Sequence, residues 1–598
     1  MSEIGMFRQQ LVLRLEWRQQ VAQERKTRPE LTIRNSPIPL MRRRQLCFAI
    51  VGIPLLLTTP LYAQTTPSHT TTFTSSTELV LIPTVVNGKS GSPLPGLKKE
   101  EFALKQDGKS QSIAIFEEVK TNSARLRRSE GERGTFSNIE PGGSDYHRLS
   151  IIVLDFVNTP FPDQSNARTA LLKFLSDVAE SGEPMCLLVL TGGGLTLLHD
   201  FTDDPKLLAI ALQRAESNAA PMIHEQVVDP HHPVGDGLAV ALTKLIRGQL
   251  QAEAQLASLE TKTAASITVQ ALLQIAKGFR GLPGRKSLIW ASSGFPFSLS
   301  PGSPLMCDPA CPVHGRDEMQ SAYDNLWRML NDAQIAIYSV DLRSATADMP
   351  MTTGGVRLSD TGDPQFDTDA QAQEKRQDTN STLKLFAENT GGKAFLGGSN
   401  LVQSFRQAIQ DDSSYYMLGY YVSPRSSKPG WHEVSVAVHA KGAHIRYRNG
   451  FFLSRDTSAT SARQDIQLAL GSPLDFTGVP VSVTWLETEP GKNPGRTKVQ
   501  FSLVMPPSFA SVDQSDDNHM VVDIAAVARN LNGRVVADLS QRIEVHLNPG
   551  GLEKIQHNGM TYHNGLQLPP GEYNVRFVVR DSLGNRMGSV AAPVKVAP

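Results

Sequence analysis

Asp155 closes a near-continuous apolar run, Leu149–Leu154, and is followed by the small polar pair Asn158 and Thr159 before Pro160. A run of that length, rich in β-branched residues, reads as a strand buried on both faces at the centre of a parallel sheet. Asp163 stands where a helix cap belongs, ahead of an amphipathic stretch to Ala179. A carboxylate at the carboxyl end of such a strand, opposite a helix N-terminus, occupies the place where open α/β sheets bind ligands. Its chemistry is then either ligand or ion binding, or the local work of bonding loop amides and shaping a turn.

The other chemistry-bearing residues are less organised. Cys307 and Cys311, in CDPAC, are close enough to pair as a disulfide in an oxidising compartment. With His314 they make only three ligands in one Pro-rich loop, and no second ligand pair follows. A local disulfide or two free thiols is therefore expected over zinc. Cys186, within Met185–Leu190, reads as a packed core thiol. Gly281–Ser287 has the look of a phosphate loop, but Arg285 takes the place of the glycine before Lys286, and a strand follows where a helix is needed. His199 and Asp200 have no matched nucleophile, and the adjacent His231 and His232 splay apart on a loop.

The 598 residues suffice for three or four domains, and 59 basic residues balance 59 acidic ones, which argues against nucleic acid as a partner. Arg42–Arg44, the apolar Leu46–Leu57 and the small Ala63 make a secretory leader over 41–63. Residues 1–40 then read as an extension of the gene model, with Met41 as the true start. Removal of the leader leaves a mature chain with no membrane span, placed outside the cell, in the periplasm or in the envelope.

A Thr/Ser-rich linker occupies 64–77. An N-terminal β segment follows at 78–120, with short strands and an Asp107-Gly108 hairpin turn, and then a polar, basic connector at 121–147. Strands and helices alternate over 148–412, which predicts a parallel sheet covered on both faces. The strands fall at 149–155, 185–190, 286–291, 335–341 and 393–396, with an edge at 195–198. Alternation returns at 413–454, where a β segment completes a sandwich with 78–120, so the α/β part is inserted in or flanked by a β-sandwich. A linker at 455–470 leads to a C-terminal all-β domain, 471–598, whose seven alternating strands suggest an immunoglobulin-like sandwich.

Three stretches, Ile151–Leu175, Gly281–Pro296 and Thr390–Phe395 with Tyr415–Tyr421, together resemble the VWFA-related proteins described from acidobacteria, secreted proteins built on a von Willebrand factor type A domain. The resemblance runs from about Glu78 to Phe452. It implies an α/β Rossmann-like von Willebrand A domain with a metal-ion-dependent adhesion site at the sheet's C-terminal edge. In that family the site begins Asp-x-Ser-x-Ser, takes a threonine from a second loop and an aspartate from a third, and holds Mg²⁺ or Mn²⁺ through hard oxygen ligands. Here the implied metal residues are Asp155, Thr159 and Ser293, with Thr263 or Thr268 from the second loop. The match is degenerate, because Val157 replaces the first serine and Ser293 the third-loop aspartate, so any Mg²⁺ or Mn²⁺ would be held weakly.

These readings converge on a secreted, non-enzymatic binding or adhesion protein, whose ligand is an unknown protein or other extracellular molecule. It would use the loops Asp155–Phe161, Thr191–Gly194 and Ser292–Pro296, with Phe161, Phe295 and Phe297 as apolar anchors. An extracellular hydrolase or thiol-redox enzyme, and a purely structural part of an envelope assembly, are the alternatives. The first of these lacks a clustered acid–base set in the sequence.

Overall fold

The computed structural model describes residues 78–597 apart from 90, 121–133, 140–147, 178–183, 216–237, 296–312, 344–355, 359–363, 367–368, 398–399, 412–413, 423–427, 454–458, 492 and 508. The leader, the CDPAC cysteines, His231, His232 and Phe297 lie outside the described residues.

The chain opens with β1 (Glu78–Asn87), β2 (Phe102–Gln106), β3 (Lys109–Gln111), β4 (Ile115–Lys120) and the short β5 (Thr135–Ser137). Strand β6 (Arg148–Asp155) follows, then α1 (Phe161–Asp177), β7 (Met185–Thr191), β8 (Gly194–Thr202), α2 (Pro205–Arg214) and α3 (Leu238–Phe279). Next come β9 (Arg285–Ser292), α4 (Val313–Asp332), β10 (Ile335–Asp341), the hairpin of β11 (Val356–Leu358) and β12 (Pro364–Phe366), α5 (Asp369–Thr390), β13 (Lys393–Phe395) and α6 (Leu401–Gln410). These elements build a six-stranded sheet in the order β13-β10-β9-β6-β7-β8. Its neighbours pair parallel except at the β7–β8 edge, where the glycine hairpin Gly192–Gly194 reverses the chain. Strands β6, β9 and β10 are buried on both faces, one core lying under α3 and α4 and the other under α1 and α6. Helix α3 runs unbroken through 257–261, a stretch that neither glycine nor proline interrupts.

The chain then returns to strands with β14 (Ser414–Val422), β15 (Gly430–Val438), β16 (His444–Arg446) and β17 (Gly450–Leu453). Two four-stranded antiparallel sheets, β16-β1-β14-β4 and β17-β15-β2-β3, enclose one core that includes Ile82, Phe102, Leu418 and Val436. This is a β-sandwich made by both flanks of the six-stranded sheet. Alternation along β14 buries Tyr416 and Tyr420 in that core, where their hydroxyls reach the Leu94 carbonyl and Gln106, and leaves Tyr421 exposed.

After α7 (Ala459–Gly471) come β18 (Ser482–Pro490), β19 (Thr497–Met505), β20 (His519–Asn530), β21 (Val535–His546), α8 (Pro549–Asn558), β22 (Met560–Leu568), β23 (Gly571–Asp581) and β24 (Arg586–Val596). The sheets β22-β19-β18-β5 and β21-β20-β23-β24 share a second sandwich core centred on Phe501 and Phe577. Strand β5, from the polar stretch before β6, joins this sandwich by pairing with β18. Strand β21 is one long strand over Val535–His546, and β22, whose pattern is only half buried, escaped the sequence reading.

The expected fold class is thereby corrected. Five of the six sheets among the described residues are antiparallel, so the chain is mostly β and not an α/β Rossmann-like von Willebrand A fold. The sequence reading leaned on the fully apolar runs, whereas most strands here are half-exposed alternators paired through hairpins.

At the edge where the parallel strands begin, buried arginines meet helix C-termini. Arg285 Nη2 donates to the Gly391 carbonyl just beyond α5 at 2.8 Å, and Arg448 Nη1 to the Asn331 carbonyl in the last turn of α4 at 3.4 Å. Cations are favoured at such ends, although burial lowers the Arg448 guanidinium to about 10. Gly281, just past α3, donates its N–H to Thr477 Oγ1 at 2.9 Å, and a Cβ there would lie 1.7 Å from the Thr477 carbonyl oxygen. Gly281→Ala should therefore cost about 1–3 kcal/mol in urea unfolding. Gly193→Ala, whose Cβ would meet Thr191 Oγ1 at an ordinary 3.6 Å, should change stability by less than about 0.5 kcal/mol. Equal midpoints for the two variants would contradict this contact.

Candidate functional site

Asp155 is the last residue of β6 and is fully buried. The chain turns sharply after it, and the turn is made by its own side chain. Oδ1 accepts the backbone N–H groups of Val157 and Asn158, both at 3.1 Å. Oδ2 accepts Asn158 Nδ2 and Ser292 Oγ, both at 2.8 Å. Asn158 Nδ2 donates a second time, to Thr268 Oγ1 on α3 at 2.9 Å, and Thr268 in turn donates to the Ala264 carbonyl. One amide nitrogen thus joins the end of β6 to α3.

Thr159 Oγ1 accepts the Ser293 N–H at 3.1 Å, and Ser293 Oγ lies 3.4 Å from Asp163 Oδ2. Helix α1 starts two residues before Asp163, which sits buried in its first turn, where a carboxylate is favoured by the helix dipole. Gln164 Nε2 holds the Phe156 and Thr159 carbonyls at 3.2 and 2.8 Å. The loop after β6, the loop after β9 and the middle of α3 are therefore stitched into one buried network.

The structure brings Asp155, Thr159 and Ser293 together, but Thr159 and Ser293 bond each other and α1, and it is Ser292 that faces the Asp155 carboxylate. Of the two second-loop candidates, Thr268 is buried in the network, while Thr263 donates to the Leu259 carbonyl on an exposed part of α3. Asn158 and Ser292 are the residues the sequence reading undervalued. The first was read only as a turn former. The second was missed because the register expected the third-loop ligand one residue later.

Mg²⁺ and Mn²⁺ do not fit this donor set. All four acceptor positions of the Asp155 carboxylate are used by N–H and O–H groups, and the Asn158 amide nitrogen stands between Asp155 and Thr268, where a cation shared by those two residues would have to be. A hard dication needs about six oxygen ligands in near-octahedral order. The next carboxylate along the sheet edge, Asp341 at the end of β10, is already gripped by the Arg343 fork at 2.8 Å to each oxygen. Asn158 Oδ1 is buried with no hydrogen-bond partner among the described residues.

Burial raises the Asp155 carboxyl to about 6 from its ordinary 3.8, against the lowering effect of the Asn158 and Ser292 hydrogen bonds, all its donors among the described residues being neutral. Cys186 is buried in the core and its thiol is pushed well up by that burial, so it is no nucleophile. Of the expected apolar anchors, Phe161 is 55% exposed at the start of α1, whereas Phe295 packs inward on Trp290 and Phe386.

No family model matches the chain, and no curated protein matches it. Among solved structures, it is similar to a point mutant of the PilB minor pilin from Streptococcus sanguinis at TM-score 0.24 and 7% identity, over 45% of this chain and 61% of that one. The chain therefore spans less than two thirds of that pilin. It is also similar to the TFIIH p34 N-terminal domain, at TM-score 0.19 and 11% identity over 44% and 98% of the two chains. A third likeness is to three N-terminal domains of the type V pili tip protein Mfa5 from Porphyromonas gingivalis, at TM-score 0.21 and 9% identity over 87% and 98%. Scores this low carry no argument about fold or activity.

Asp155→Ala, which strands buried donors, should cost about 3 kcal/mol or more in urea unfolding, and Asp155→Asn clearly less. The folded carboxyl titrates near 6 and the unfolded one near 4, so the protonated form is favoured by folding. That stability is fully present below about pH 4 and is lost as pH rises through 6. The stability of wild type relative to Asp155→Asn should fall by about 2 kcal/mol between pH 4 and pH 7. A flat difference over that range would rule out the raised carboxyl.

Proposed function

We propose that the chain is a non-enzymatic binding protein acting outside the cytoplasm, and that it contacts its ligand through the loops at the carboxyl edge of β6, β7 and β9 without a metal ion. The observation that carries this reading is the locked network around Asp155. It fixes two of those loops against α1 and α3, which preorganises the face and lowers the entropic cost of binding. Phe161 stands exposed at its margin, an apolar group on a rigid element. The expected leader at 41–63 supports an envelope or secreted location, and no helix among the described residues is long and apolar enough to cross a membrane.

The test is binding of purified protein to envelope preparations, measured for wild type, Phe161→Ser and Asp155→Ala with and without EDTA. Wild type should bind equally well in EDTA. Phe161→Ser should bind at least about tenfold more weakly, the effect of one lost apolar anchor. Asp155→Ala should lose binding through loosened loops. Binding abolished by EDTA in wild type, or untouched by both substitutions, would overturn the reading.

A further inference from the structure

Away from the Asp155 network, the C-terminal sandwich gathers a second set of chemistry-bearing side chains. His519 opens β20 and His546 closes β21, and the two are direct cross-strand partners. Their imidazoles stack at 4.7 Å with 14° between planes. His519 Nδ1 lies 3.3 Å from Asp516 Oδ2, and its Nε2 lies 3.2 Å from Glu544 Oε1. One ligand atom from each of Asp516, His519 and His546 falls within 4.8 Å of the others.

The backbone fixes this arrangement. The His519 N–H donates to the Asp513 and Asp516 carbonyls, closing a tight turn in which Asp517 and Asn518 take φ of 47° and 55°. Asn518 is tied to Leu547, just past β21, through its carbonyl and its side-chain amide, both at 3.2 Å. The turn carrying Asp516 is thereby held against the strand end carrying His546.

We propose that Asp516, His519 and His546 form a binding site for a transition-metal dication of the zinc class. Two imidazoles and one carboxylate suit Zn²⁺ and its neighbours, not Mg²⁺ or Ca²⁺, which require oxygen ligands. Two ligands at about 2 Å from one ion stand up to about 4 Å apart, so modest side-chain rotations close the observed spacing. His519 ligates through Nδ1. Its Nε2 proton goes to Glu544, the carboxylate–imidazole–metal arrangement that fixes ring orientation and tautomer. Water completes the tetrahedron, since Asp516 is largely open to solvent while His519 is mostly buried. The site joins the two ends of the β20–β21 hairpin, and a bound ion would clamp it.

The test uses the full chain, stripped with EDTA and titrated with Zn²⁺ by calorimetry, with wild type compared against His519→Ala/His546→Ala, His546→Gln and Glu544→Gln. Far-UV circular dichroism checks that each variant is folded. Wild type should take up one more equivalent of Zn²⁺ than the double variant, and its unfolding midpoint should rise with Zn²⁺ where that of the double variant does not. His546→Gln should lose the same equivalent, and Glu544→Gln should keep it with about tenfold weaker affinity. Asp155→Asn should leave it unchanged, which separates this site from the binding face. Equal stoichiometry and affinity in wild type and the double variant would overturn the proposal, and would leave His519 as the partner of two surface carboxylates only.

Discussion

A carboxylate taken fully out of water must be matched by charge or by hydrogen bonds, and the end of β6 depends on how that demand is met. Among the described residues, no cationic side chain lies against Asp155. Its four acceptor positions are filled by two backbone amides, one side-chain amide and one hydroxyl. The donors come from its own turn and from Ser292 on the neighbouring strand, with Asn158 reaching on to α3, so satisfying the charge and assembling the edge are one event. The raised carboxyl is the physical residue of this choice, because neutral donors offset desolvation only in part. Asp341, one strand beyond β9, shows the other solution, with the charge met by the Arg343 fork.

The opposite edge of the same sheet uses the same logic with the signs reversed. There Arg285, Lys286 and Arg448 are buried and held by carbonyl oxygens, those of the arginines lying at helix ends. Burial lowers the Lys286 ammonium to about 7. The six-stranded sheet thus carries buried cations at its amino edge and a buried acid at its carboxyl edge. Each group is neutralised by dipoles of the fold around it, and the loops at either edge are as rigid as those hydrogen bonds make them.

Much of this was legible in the sequence, for identifiable reasons. The apolar runs at 149–155, 185–190, 286–291 and 335–341 read as strands because a strand buried on both faces leaves no other pattern. Asp155 stood out because a charge at the end of such a run demands an explanation. The overall class was misjudged because the half-exposed strands of the two sandwiches, β22 and the short β5 among them, carry weaker signals than those runs. The site's chemistry was misjudged at single residues. Asn158 looks like any turn asparagine until its amide is seen to bridge Asp155 and Thr268, and the one-residue difference between Ser292 and Ser293 is set by strand register, which local composition does not encode. The histidine pair was invisible for a similar reason, since His519 and His546 are far apart in sequence and are joined only by the pairing of β20 with β21.

The central claim is that the Asn158 amide holds the position a cation would need, so that the edge is assembled without metal. Titration of Mn²⁺ and Mg²⁺ into wild type and Asp155→Asn, followed by calorimetry and by the relaxation of water protons around Mn²⁺, tests it most directly. The account predicts that the two proteins behave alike, with no saturable site that depends on Asp155. A saturable Mn²⁺ or Mg²⁺ site present in wild type and lost in Asp155→Asn would contradict it.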